Sequence, residues 1–273
     1  MPPTDLLSPW FPQATTRPDA TLRLICLPYA GGTPSVYRGW ETEVGDHVQV
    51  VPVLLPGRGL RLRESPYTSI GPLAADIATA LTEHGFTGRY ALFGHSMGAL
   101  LAYEVACVLR ERGEPEPRHL FVSGSRAPHL HGDRADHKLP DEALLRLVRD
   151  LGGLGEDEAI GGAYLERRLP VLRADLSVCE NYRWRPRRPL ACPMTAFSAS
   201  EDPIATPVQV EAWREYTSGS LLRRHLPGDH FYLNGGSRHR LLRELRGELA
   251  RFRADQDAPT QHPISRRTPS WTS

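Results

Sequence analysis

Six short runs of apolar and β-branched residues recur along the chain, each closed by glycine, proline or polar turn residues. They are LRLICL (22–27), VQVVPVLL (48–55), RYALFG (89–94), HLFVSG (119–124), MTAFSAS (194–200) and LLRRHLP (221–227). Several are near-continuous rather than alternating, as in strands buried on both faces of a parallel sheet. Stretches of helical period lie between them. In SIGPLAADIATALTEHG, the residues Ile70, Leu73, Ala74, Ile77 and Leu81 form one stripe that stops at Gly85. ALLAYEVACVLRERG runs from Ala99 to Gly113, VQVEAWREYT covers 208–217, and SRHRLLRELRGELARFR covers 237–253. The alternation predicts an α/β fold: a mostly parallel central sheet with right-handed crossovers and helices on both faces.

One stretch breaks the rhythm. From Leu139 to Trp184 the pattern is helical with no strand, in LPDEALLRLVRDLGG and then EDEAIGGAYLERRLPVLRADLSVCENYRW. An insertion of that size between two sheet strands predicts a helical lid over one end of the sheet, at about 130–185. Residues 1–20, rich in Pro and Thr, read as an N-terminal arm. Residues 255–273 are polar, Pro-rich and without period, and read as a disordered tail. One domain, 21–254, remains, and it holds no internal repeat.

At 273 residues the chain is long enough for a substantial core and a closed pocket. Its 40% hydrophobic and 24% charged residues are ordinary for a soluble globule. A net charge of +1 gives no field that would favour nucleic acid or a membrane. No apolar run approaches the roughly 20 residues of a membrane span. The N-terminus lacks the basic start and apolar stretch of a signal peptide. The expectation is a cytoplasmic monomer. Cys26, Cys107, Cys179 and Cys192 have no C-x-x-C spacing and read as small buried hydrophobes rather than disulfides or zinc ligands.

The candidate chemistry starts at Gly94-His95-Ser96-Met97-Gly98, which fits G-x-S-x-G. An apolar strand ends at Phe93 and a helix starts near Ala99, so Ser96 falls on a strand–turn–helix bend that demands small neighbours. A serine hydroxyl barely ionises at neutral pH and needs a base. Of eleven histidines, His230 in LPGDHFYL follows the last strand in a Gly-containing loop. His225 lies within that strand, His239 in a helix and His262 in the tail, while His95 packs in the bend. His129, His131 and His137 lack companions at metal-ligand spacing and read as a solvated loop. The third group must hold the imidazole tautomer. Asp202 follows the strand MTAFSAS in SEDP, where such an acid belongs. Glu201 faces water, and Asp229 is too close in sequence to His230 to bond it in plane. The order Ser96, Asp202, His230 is that of the α/β-hydrolase fold. Acyl transfer also needs oxyanion donors. The N–H of Met97 is one, and the N–H of Ala30 in LPYAGGTPSVY is the expected second, with Gly31 and Gly32 permitting close approach. No cofactor and no metal are expected.

The chain resembles the discrete type II thioesterases that serve polyketide and nonribosomal peptide synthetases. The resemblance rests on LICLPYAGGTPSVYRGW, LLPGRGLRLRESPYTSI, FGHSMGALLAYEVA, FVSGSRAPH, LPVLRADLSVCENY, SASEDP and LPGDHFYL, in that order over roughly residues 20–253. It implies a triad of Ser96, Asp202 and His230, and a mobile lid at 130–185. It also implies hydrolysis of stalled or aberrant acyl groups from the phosphopantetheine arm of acyl or peptidyl carrier proteins. Two stretches depart from the family: WETEVG (40–45) is more acidic, and GGLGEDEAIGGAYLE is richer in glycine. A lipase-like carboxylesterase, a medium-chain thioesterase releasing fatty acids, a releasing domain of a synthetase and a non-catalytic binding protein of the same fold are the alternatives. Met1 lies only about twenty residues before the first strand, which favours a stand-alone enzyme over a releasing domain. The lid's stripes (Leu144, Leu145, Leu147, Val148; Leu169, Val171, Leu172, Leu176) are candidates for an acyl chamber or for plain helix packing. The arginines of RWRPRRP are candidates for carrier docking or a solvated basic loop.

Overall fold

Strand β1 (Leu22–Leu27) sends Leu22, Leu24 and Cys26 to one side of the sheet and Ile25 and Leu27 to the other, and both sets are buried. Two covering layers are required for that pattern, and both are present in this computed structural model, which describes residues 8–13, 17, 19–151 and 162–254, without the side chains of 162–167 and 254. Strands β2 (Val48–Pro52), β3 (Tyr90–His95), β4 (Leu120–Ser123), β5 (Met194–Ala199) and β6 (Leu221–Leu226) complete a sheet of order β2-β1-β3-β4-β5-β6. Every pairing is parallel, with Ile25 opposite Val51 on one side and Leu92 on the other. Helices α1 (Ile70–Glu83) and α2 (Met97–Glu111) cover one face, and α6 (Arg238–Ala254), with Tyr37 and Trp40, covers the other. All six expected strands form.

Three boundaries differ from the sequence expectation, each for a local reason. β2 ends at Pro52, which has no amide to donate; Val53 still bonds the Cys26 carbonyl of β1, and Leu54 turns away to the Trp10 carbonyl. VQVEAWREYT is not one helix: α5 (Pro207–Glu211) tightens into a 3-10 turn over Ala212–Tyr216 that buries Trp213 and Tyr216. β3 runs on to His95 and α2 starts at Met97, so the bend is compressed to Ser96 alone.

Between β4 and β5 the chain forms α3 (Asp141–Asp150) and α4 (Gly162–Glu180) and no strand among its described residues. This helical insertion is tied down at its far end. Glu180 accepts the N–H groups of Asp136 (2.9 Å) and His137 (3.0 Å). Beyond α4, Tyr182 donates to Glu104 on α2 at 2.7 Å and Arg187 reaches the same carboxylate at 3.1 Å. In WETEVG, Trp40 and Val44 are buried while Thr42 and Glu43 face outward, so the acidic departure leaves the core intact. Part of the N-terminal arm is packed: Phe11 is buried against the core and Trp10 lies beside it. The proposed disordered tail, His262 and most of the glycine-rich lid stretch lie outside the described residues. No described helix is long and apolar enough to cross a membrane.

Candidate active site

Ser96 is the one non-glycine residue with positive φ among those described, at φ 55° and ψ −120°. The reason is the close approach of β3 and α2. A Cβ on Gly94 would stand 2.0 Å from the Gly98 carbonyl oxygen, and one on Gly98 would stand 2.2 Å from the Leu27 carbonyl oxygen. Both obstacles are backbone and cannot swing aside. The glycines that flank the serine are therefore required by packing, and the strain of the turn falls on Ser96. Gly94→Ala is expected to cost more than about 4 kcal/mol, read as loss of folded protein or a collapsed urea midpoint. Gly71→Ala is the control: nothing lies within 4 Å of the added methyl, and stability should hold or rise.

Ser96 occupies the position before the first turn of α2, yet its hydroxyl makes no capping bond. Its amide is pinned to the Ser123 carbonyl at 2.8 Å. The hydroxyl thus stands at the positive end of a helix, where developing negative charge is favoured.

His230 and Asp202 come together although they arise from different loops. Asp202, after β5, is buried, and its Oδ2 accepts from His230 Nδ1 at 2.9 Å. Its Oδ1 is already engaged by the N–H groups of Ile204 (2.8 Å) and Ala205 (3.1 Å). A carboxylate can only accept, so the proton resides on Nδ1 and Nε2 keeps its lone pair. Glu201 is exposed, and Asp229 accepts the Phe231 amide at 2.8 Å, so neither competes.

His95 lies under this pair, its ring 5.0 Å from that of His230. Burial, with the His230 charge as a lesser cause, holds its pKa well below the usual imidazole value. It stays neutral and packs, bonded at 3.0 Å to Ser123, whose hydroxyl lies 2.5 Å from Tyr232. Burial also raises the thiol pKa of all four cysteines, and all four are free. Cys26, Cys107 and Cys192 are buried, while Cys179 is half-buried and lines a hollow that reaches Ser96, its thiol pKa raised by burial.

Ser96, His230, Tyr29 and Ala30 line one end of a cavity whose walls come from the insertion: Leu144, Leu145, Leu147 and Val148 of α3, and Leu169, Leu172 and Leu176 of α4. Seven of the eight stripe positions thus face a chamber, and Val171 alone is not among the lining residues. A second hollow also reaches Ser96 and Met97; it shares Leu147, Leu151 and Leu176 with the first and is bordered by Arg126, Arg134, Asp136, Cys179 and Glu180. Among the described residues, the amides of Ala30 and Met97 have no protein acceptor. His129 stacks on Tyr216 and His137 bonds Glu180, so the loose histidine cluster is divided among separate partners. Of the basic run, Arg187 is held by Glu104 and Arg183 donates to the carbonyls of Glu180 and Tyr182, which leaves Arg185 and Arg188 as its exposed members without such ties.

Sequence reasoning did not anticipate a buried ion pair beside the site, Arg58 with Asp175 at 2.7 Å. Its one signal was an acid set among the leucines of α4.

Comparison with known proteins fits this geometry. The profile described as Thioesterase domain matches residues 22–249. The solved structure of the RedJ thioesterase, from the prodiginine pathway of Streptomyces coelicolor, is 66% identical. It superposes with a TM-score of 0.83 over 87% of this chain and 92% of its own. The thioesterase PikA5 of Streptomyces venezuelae is 37% identical over 254 residues, 93% of this chain and 90% of that protein. A Brevibacillus parabrevis protein named linear gramicidin dehydrogenase LgrE is 40% identical over 232 residues, 83% of this chain and 88% of that protein. With a matching profile across most of its length and a serine bend, imidazole and carboxylate around one lidded cavity, the chain belongs to the thioesterase domain family, built on the α/β-hydrolase scaffold.

Proposed function

We propose that this protein hydrolyses aberrant or stalled acyl groups from the phosphopantetheine thiol of carrier proteins in polyketide or nonribosomal peptide assembly. Ser96 is the nucleophile, His230 the general base and acid, and Asp202 its orienting carboxylate. The observation that carries the reading is the bonded His230–Asp202 pair opening onto the same cavity as the strained Ser96. His230 Nε2 takes the hydroxyl proton as Oγ adds to the thioester carbonyl. The resulting oxyanion is received by the amides of Ala30 and Met97, each such donor being worth about 3–4 kcal/mol. Collapse expels the thiol, which leaves with the proton from His230. Water, deprotonated by the same imidazole, then releases the acid and regenerates Ser96.

Two hollows meeting at Ser96 give an acyl chain and a pantetheine arm separate paths to the same hydroxyl. The names of RedJ and PikA5 support a biosynthetic thioester. The dehydrogenase in the name of LgrE is not carried over: Pro28-Tyr29-Ala30-Gly31-Gly32 after β1 lacks the G-x-G-x-x-G spacing of a dinucleotide loop. The test is intact-mass spectrometry of acylated carrier proteins before and after treatment, beside a matched oxygen ester. Loss of the acyl mass from the carrier with slow ester turnover is expected. Preferential ester cleavage would favour the carboxylesterase, and preference for medium-chain fatty acyl groups the fatty-acid-releasing enzyme.

A further inference from the structure

The turn that carries Ala30 is gripped from outside at three of its backbone groups, the Gly31 N–H and the Gly31 and Gly32 carbonyls. Gly32 N–H donates to the Tyr29 carbonyl at 2.8 Å, and Gly31 sits at φ 76°, the arrangement of a type II turn with glycine third. In such a turn the two central amides are not used by the turn itself. Gly31 N–H is taken by Asp175 Oδ2 at 2.7 Å, from α4 of the insertion. Arg168, also on α4, donates to the Gly31 carbonyl, and Arg58 donates to the Gly32 carbonyl at 3.1 Å. Arg58 in turn clasps Asp175 through both oxygens, at 2.7 Å each, and both side chains are buried. The Ala30 amide has no protein acceptor among the described residues, and Ala30 lines the cavity.

We infer that Asp175 is a positioning residue: it fixes the Tyr29–Gly32 turn so that the Ala30 amide is aimed at the forming oxyanion, and Arg58 holds Asp175 in place. The inference rests on the reading of that amide as an oxyanion donor. Type I and type II turns differ mainly in the plane of the central peptide, here Ala30 C=O–Gly31 N–H; the Ala30 N–H belongs to the peptide before it, so its aim depends on where the whole turn is seated. An anionic acceptor on Gly31 N–H, with the arginines on the Gly31 and Gly32 carbonyls, fixes that seat, and charge-assisted bonds are the stronger kind. α4 also supplies Leu169, Leu172 and Leu176 to the chamber wall. Seating this helix therefore closes the chamber and sets the donor in one movement, which links lid position to chemistry rather than to binding.

A double-substitution cycle tests this, using the full chain and a short-acyl thioester that does not depend on filling the chamber. Replacement of Ala30 by L-lactate exchanges its N–H for an ester oxygen and should lower kcat by about 10²–10³. Asp175→Ala should lower kcat by about 10–100-fold with KM changed less than about threefold, and in the lactate background should add less than about threefold. Asp175→Asn keeps the shape and one acceptor oxygen and should fall between; it carries the same arms if Asp175→Ala does not fold. A folded Asp175 variant with unchanged kcat, or a fall that multiplies with that of lactate, overturns the inference and leaves the Ala30 reading standing. A lactate protein with full kcat overturns the Ala30 reading and this inference together. Fluorophosphonate labelling of Ser96 reports independently on the nucleophile.

Discussion

Ser96→Ala is expected to lower kcat/KM on an acyl-carrier thioester by at least about 10⁴, with the fold intact. The loss is that large because the other nucleophiles are poorly suited: three thiols are buried, burial raises the thiol pKa of the half-buried Cys179, and Asp202 is committed to His230 and two amides. What survives is the contribution of binding and the oxyanion donors. The strain at position 96 adds a second readout. Alanine at φ 55° and ψ −120° is as strained as serine, whereas glycine is not. Ser96→Gly should therefore be equally inactive but more stable than Ser96→Ala by about 1 kcal/mol, seen as a higher thermal midpoint. Substantial turnover by either variant, or an acyl adduct mapped by mass spectrometry to another residue, would remove Ser96 from the mechanism.

Asp202→Asn should cost about 10⁴ in kcat with little change in stability or KM. The geometry dictates the direction. Asp202 Oδ1 accepts from the amides of Ile204 and Ala205. In the asparagine variant the side-chain oxygen must remain there, since an NH₂ group would face two donors. The NH₂ then faces His230 Nδ1, which can only accept from it. The imidazole proton is driven to Nε2, and the nitrogen that must take the Ser96 proton is blocked. The substitution leaves a similar shape and a satisfied loop. The check is steady-state kinetics together with NMR of the imidazole nitrogens, which reports the tautomer directly. An active variant, or an inactive one with the parent tautomer, would contradict this account.

Much of this site was legible in sequence because its parts carry local signatures. Five of the six strands are apolar runs bounded by breakers, and β6, with Arg223, Arg224 and His225, is the half-exposed edge. The bend around Ser96 shows as two glycines at fixed spacing, since a backbone clash of 2.0–2.2 Å allows no side chain at either. That Asp202 and His230 should meet was legible from their places after β5 and β6, because a parallel sheet delivers all such loops to one edge, and they bond at 2.9 Å. The limits of α2 and of the helix after β5 were missed by a few residues, since the compression at Ser96 and the tightening at Ala212–Tyr216 are set by what packs against them.

The order of strands and helices, the residue types able to perform acyl transfer and their sequence along the chain are fixed by the linear pattern, because hydrophobic period and turn chemistry act over a few residues. Which polar groups meet was decided by the tertiary structure alone. Asp175 and Gly31 stand 144 residues apart, and no local rule joins an acid on a lid helix to an amide after the first strand. Likewise, the leucines of α3 and α4 have the same spacing whether they pack against a neighbour or line a cavity. They face a chamber because Ser96, His230 and the loop after β1 form its opposite end.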